Sequence, residues 1–322
     1  MKAPGHTTRS AMLAGLSPME KFLFVVIILF ILSLAFQFLG GLLASLLYGF
    51  SLGEILNLET FDDPRYVAAS KIIQIMGSIG TFIVPAFLFS YLFAGDWVSY
   101  YQFEYHTGVL PIVLTVAMIV AVIPFINYLA EINMRMELPL RGVDRILRNL
   151  EQDAEGIMRA FTDTSSLSAL LVNLFMIGIL AAVGEELIFR GLLQRLLFDM
   201  VKNPHVAIAL TAIFFSAFHF QFFSFLPRFV LGLILGYLLY FGRSIWYPIV
   251  AHFVNNSLGV VYYFFNARGS ADDMLEEIGT SSMMPLTALV SLILFALFFG
   301  LWYHYSDCRT IQSPQSLKTD RN

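Results

Sequence analysis

The chain has 322 residues, of which 58% are hydrophobic and 13% charged, with a formal net charge of −4. A soluble domain is nearer half apolar and a quarter charged, so this composition excludes an ordinary soluble enzyme. The lack of any long basic run argues against nucleic acid as a partner, and the single Cys308 excludes an internal disulfide framework.

The apolar residues fall in blocks. About eight stretches reach the roughly 20 residues needed to cross a bilayer: 22–50, 68–95, 108–134, 167–194, 204–221, 225–243, 245–266 and 285–305. Backbone groups in hydrocarbon need internal partners, so these stretches are expected to be helices. The expected fold is an all-α polytopic membrane bundle of about eight transmembrane helices. The first stretch is too long for a signal-peptide core and lacks a clear small-residue cleavage pattern, so it reads as a retained helix. With a cytoplasmic N-terminus, nine Lys and Arg residues face the cytoplasm and eight face outward. The positive-inside rule therefore leaves orientation open.

The connection after the third stretch has a pattern of its own. In "VDRILRNLEQDAEGIMRAF", Val143, Ile146, Leu147, Leu150, Ala154, Ile157, Met158 and Phe161 recur at helical spacing opposite a polar face. This predicts a helix lying along the interface. It is either a plain surface connection or a cover over a site.

Ionisable groups at bilayer depth cost about 2.5–3.5 kcal/mol each on insertion scales, and mark candidate functional positions. Three clusters occur, all after residue 167. In "GEELIFRG", residues 184–191, Glu186 and Arg190 are four apart and share a helix face. Glu185 is turned about 100° from Glu186, so it has no counter-ion on its own helix and must find a partner elsewhere. In "FSAFH", Phe215 and His219 share a face, and in "HFVNN", His252 and Asn256 do. Turns near 201–203 and 244 place Glu185 and His219 at matching depth. They leave His252 and Asn256 shallower, a gap that tilt or a protruding fourth helix must close.

A carboxylate and an imidazole can take a proton from water, and a second imidazole and an amide can donate to a developing oxyanion. The same set, Glu185, His219 and His252, has the ligand types of a zinc site. Residue types alone leave both chemistries open.

The three motifs, in this order on three membrane helices, resemble those of the CPBP family, the CAAX-protease and bacteriocin-processing intramembrane proteases that include the type II CAAX prenyl endopeptidases. The family pattern EExxxR, FxxxH, HxxxN is complete here, and the likeness covers about residues 167–266. It implies a catalytic core at 167–266, flanked by helices and the connecting helix in 1–166 and by a last helix and polar tail in 267–322. It implies an intramembrane endopeptidase acting on a peptide or lipidated, CAAX-like protein. Glu185 and His219 would activate water, His252 and Asn256 would stabilise the oxyanion, and Glu186 and Arg190 would support them. The family's mechanism has been argued both without metal and with zinc. No cofactor is required in the form favoured here, because Asn is an uncommon zinc ligand. The family's cytosol-facing site favours a bacterial inner-membrane protein with both termini cytoplasmic.

Two other classes share these features. A scaffold or immunity protein on the same fold would keep binding partners after loss of Glu185 and His219. A proton-coupled transporter also buries Glu and His, but no repeat relates the two halves of the chain. There is no HExxH. His304 sits with Trp302, Tyr303 and Tyr305 in an expected interfacial aromatic belt. Gln221, Arg228 and Tyr237 read as packing or interface residues. Oligomeric state is not encoded in any pattern found.

Overall fold

The computed structural model describes residues 11–51, 53–54, 63–104, 107–162, 164, 166–266, 280 and 285–306. Cys308, His6, His106, most of the loop 267–284 and the polar C-terminal tail lie outside these residues. Among the described residues there is no strand.

Ten helices follow in order: α1 Pro18–Tyr48, α2 Pro64–Ala94, the single-turn α3 Trp97–Tyr100, α4 Val109–Met134, α5 Arg141–Thr162, α6 Leu167–Val201, α7 Pro204–Ala217, α8 Phe225–Gly242, α9 Trp246–Asn266 and α10 Pro285–Tyr305. Each apolar stretch of the sequence coincides with one helix. Six of them (α1, α2, α4, α6, α8 and α10) are long and apolar enough to cross a membrane, and α7 is a shorter apolar helix. α9 is 21 residues long but carries His252, Asn255 and Asn256, which dilute its apolar character. The protein is an integral membrane helix bundle.

Helix ends follow local chemistry. Ser17 and Glu20 form a capping box at α1, and Gly49 closes it in the left-handed conformation. Asp63 and Asn203 accept backbone N–H groups at the starts of α2 and α7, each followed by a Pro that has no N–H to satisfy. Inside α4, Pro124 interrupts the helical ladder. Ser291 of α10 repairs it: its hydroxyl accepts from Phe125 N at 3.2 Å and donates to Ala121 O at 2.6 Å. Such repair by a neighbouring helix is what lets proline persist in lipid.

Two apolar cores flank the middle of the bundle. One joins α1, α2 and the tyrosines after α3 to α6 and α7, through Phe82, Phe89, Tyr101, Leu192 and Phe215. The other joins α4, α8, α9 and α10, through Met118, Leu235, Ala251 and Trp302. α9 contributes to both. Trp302 was expected in an interfacial belt. It is instead fully buried, edge-on to Tyr247 at 5.1 Å and stacked on Phe299, because residues before the helix end still face the second core.

α5 matches the predicted interfacial helix, with an unusual division of faces. Val143, Ile146, Leu150, Ile157 and Met158 are exposed, while Glu151 is buried at 3% exposure. Its apolar stripe points away from the protein, and a polar stripe points inward. Arg148 pairs with Asp144 at 2.8 Å and holds that carboxyl below the ordinary carboxylate range.

α6 and the Tyr101 segment approach so closely that only glycine fits between them. A Cβ on Gly191 would lie 2.2 Å from Tyr101 Cδ1, and the phenol is itself fixed by donating to Ala86 O at 2.7 Å. Gly191→Val is therefore expected to destabilise the protein by roughly 1–3 kcal/mol, measured by thermal unfolding in detergent. Gly156→Ala on α5, where a Cβ meets nothing within 4 Å, should leave the midpoint unchanged or raise it.

Candidate active site

α6 does more than cross the membrane. At 35 residues it is roughly 52 Å long, far beyond a hydrocarbon core of about 30 Å. Glu185 and Glu186 therefore fall near its middle while its last turns protrude, which closes the depth gap to His252. Around the glutamates the helix alternates in pitch. The α-helical piece Ala181–Glu186 lies between two π-helical pieces, Leu174–Leu180 and Leu187–Leu193. Such widened turns often mark functional sites.

Glu186 is the anchor of the polar cluster. Its Oε1 accepts from Arg190 Nη1 at 2.8 Å and from His252 Nδ1 at 2.8 Å. Both side chains of the ion pair are fully buried. Arg190 Nη2 also donates to Gly232 O of α8 at 3.2 Å, and its guanidinium lies 4.4 Å from the Phe215 ring centre. This one arginine thus ties α6 to α8 and α7. A Cβ on Gly232 would come within 3.0 Å of Ala212 Cβ, so the glycine lets α8 sit close to α7 beside the arginine.

Glu185 lacks a partner on its own helix, as its spacing implied, and turns toward α9. Its Oε2 lies 3.9 Å from His252 Nε2, with the side chain 13% exposed. His252 is therefore gripped on one nitrogen by Glu186 and faced on the other by Glu185. Since the carboxylate of Glu186 accepts the Nδ1 proton, Nε2 of a neutral ring presents a lone pair.

His219 lies one turn beyond the predicted helix position. α7 ends at Ala217, and the chain tightens: His219 N donates to Ser216 O and Phe220 N to Ala217 O. Phe220 then adopts φ 54°, an uncommon left-handed conformation for an aromatic residue. His219 Nδ1 donates to Phe215 O at 2.8 Å, which leaves Nε2 as an acceptor. The rings of His219 and His252 both pack edge-on to Phe215, at 5.2 and 5.7 Å between centroids. Asn256 Nδ2 donates to Ile177 O of α6 at 3.0 Å, and its Oδ1 accepts from Asn255. One amide hydrogen of Asn256 stays uncommitted.

A zinc site needs three or four ligand atoms converging within about 2.0–2.3 Å of one point. Among the described residues, no group of three or more His, Cys, Asp and Glu side chains converges in that way. The set Glu185, His219 and His252 therefore does not fit a preformed metal site.

The sequence reading passed over a second layer. Gln221 and Arg228, read as packing, lie beside the His219 turn, where Arg228 Nη2 donates to Gln221 Oε1 at 2.6 Å. Glu151 of α5 and Asn133 of α4 also reach this turn. The signal available was a carboxylate among the inward residues of an amphipathic helix. Tyr237 lies elsewhere, with its hydroxyl 3.1 Å from His205 Nδ1.

Residues 167–258 match a family model described as Type II CAAX prenyl endopeptidase Rce1-like. The segment that gathers the polar cluster is thus an Rce1-like domain, in line with the CPBP motifs, and it supports an intramembrane CAAX-type protease in general terms. Comparison of the chain with curated proteins and with solved structures gives no match.

Breaking a buried ion pair costs about 3–5 kcal/mol because a bare charge stays behind. Arg190→Met should show a loss of that size in thermal unfolding. Arg190→Lys should also destabilise, since one ammonium cannot reproduce the guanidinium fork. The double variant Glu186→Gln/Arg190→Met should lose less than Arg190→Met alone.

Proposed function

We propose that the protein is an intramembrane endopeptidase that hydrolyses a peptide bond in a membrane-associated, prenylated or CAAX-like substrate with water as the nucleophile. The observation that carries this reading is Glu185, a carboxylate with no partner on its own helix, facing His252 Nε2 at 3.9 Å inside the Rce1-like segment.

Glu185 acts as the general base. It takes a proton from a water whose second contact is the acceptor Nε2 of His219, and the resulting hydroxide attacks the scissile carbonyl carbon. Negative charge then develops on the carbonyl oxygen. The free amide hydrogen of Asn256 donates to it, and so does Nε2–H of His252 when that ring carries both protons. The proton held by Glu185 passes to the leaving amine as the tetrahedral intermediate collapses. Glu186 and Arg190 touch no reacting atom. They fix the ring plane of His252, as a buried carboxylate does for a catalytic imidazole.

We read residues 167–266 as the catalytic core, with 1–166 and 267–322 as surrounding segments. We place the protein in a bacterial inner membrane with both termini cytoplasmic, following the cytosolic openness associated with the family. The chemistry proposed needs no metal.

In proteoliposomes with a farnesylated CAAX peptide as probe, Glu185→Gln and His219→Ala should each lower cleavage by about 10²–10⁴-fold with thermal stability retained. Cleavage that survives in Glu185→Gln would overturn the assignment. A chelator should leave wild-type activity unchanged. Activity lost to a chelator and restored by zinc would instead make Glu185, His219 and His252 metal ligands.

A further inference from the structure

His219 is followed by a segment held with unusual completeness from outside the catalytic helices. Glu151 of α5 supplies the main grip. Its Oε2 accepts from Phe223 N at 3.0 Å, and its Oε1 accepts from Gln221 Nε2 at 3.3 Å and from the Ser224 hydroxyl. Three donors from four consecutive residues thus meet one buried carboxylate. Gln221 passes the tie onward by accepting from Arg228, whose Nη1 donates to Ser224 O at 3.4 Å. Arg148, one turn before Glu151, lies 4.0 Å from the Phe223 ring centre. From α4, Asn133 closes the other side, donating to Phe222 O at 3.1 Å and accepting from Leu226 N at 2.6 Å.

Between this strap and His219 stands only Phe220, left-handed and 73% exposed. It has no packing to hold the turn. On its other side His219 is tied only to the last turn of α7 through Phe215 O. The position of the imidazole therefore depends on where residues 221–224 are fixed. A carboxylate buried on an amphipathic helix is costly unless its oxygens are satisfied, and here every donor it satisfies belongs to this one turn.

We propose that Glu151 is a positioning residue for His219: it clamps interfacial helix α5 to the turn after α7 and so sets the reach of the imidazole toward the reacting water. The clamp itself stands on geometry alone, and its kinetic consequence rests on the protease reading.

The test compares wild type, Glu151→Ala and Glu151→Gln in lipid nanodiscs, by hydrogen–deuterium exchange and by cleavage of a farnesylated CAAX peptide. In Glu151→Ala, amide exchange over residues 218–226 should rise at least about tenfold with α6 and α9 unchanged, because local opening is set by the bonds removed. kcat should fall about 10- to 100-fold, the range expected for a misplaced catalytic group, with KM within about twofold. Glu151→Gln keeps an acceptor for Phe223 N and should recover part of both. Unchanged exchange over 218–226 would overturn the proposal, as would a loosened turn with wild-type kcat, or exchange raised through the whole chain. Should Glu151→Ala fail to fold, Glu151→Gln carries the same measurements. Wild-type protein that leaves the peptide intact would count against the protease reading, while the exchange result still decides the clamp.

Discussion

A full ion pair sealed from water constrains this structure more than any other interaction. Glu186 and Arg190 are both wholly buried, and desolvating them is repaid only if nearly every remaining polar valence finds a partner. The partners come from three further helices: a carbonyl of α8, an aromatic face of α7 and an imidazole of α9. One salt bridge on α6 therefore dictates how the Rce1-like helices assemble. Lipid-filled packing alone would not specify that arrangement, since apolar side chains interact with acyl chains about as well as with one another.

The same pair explains how two adjacent glutamates acquire different tasks. Glu186 is saturated by two donors on one oxygen. Glu185 has only the far nitrogen of the same imidazole, beyond direct hydrogen-bonding distance. A carboxylate held by charge serves as a frame, and its neighbour without one is free to exchange protons. Residue identity is shared, and the separation comes from a rotation of about 100° on the helix.

Much of this was legible in the sequence because helical periodicity is a local rule. The positions of the membrane helices, the interfacial helix and the i,i+4 ion pair all follow from spacing along one element. What depended on several elements at once was not legible. Glu151 looked like one more polar residue of a solvated face until the fold turned that face inward. Trp302 looked like a belt residue until Tyr247 was found against it. His219 was placed on a helix, yet the last turn of α7 tightens and Phe220 reverses the chain, a choice set by the straps on residues 221–226. Arg228 and Gln221 join the site for the same reason.

The widened turns of α6 carry a consequence for how this segment tolerates change in length. A π turn is an α-helix with one residue inserted, so the stretches at 174–180 and 187–193 act as stored insertions on either side of the glutamates. Deleting one residue from the first would restore regular pitch at no cost to helicity. It would also swing both carboxylates by about 100° relative to everything before them, uncoupling Glu185 and Glu186 from α9 together. Length polymorphism in this helix is thus equivalent to a change of phase, and close relatives with the same chemistry should be aligned with gaps placed at these two turns.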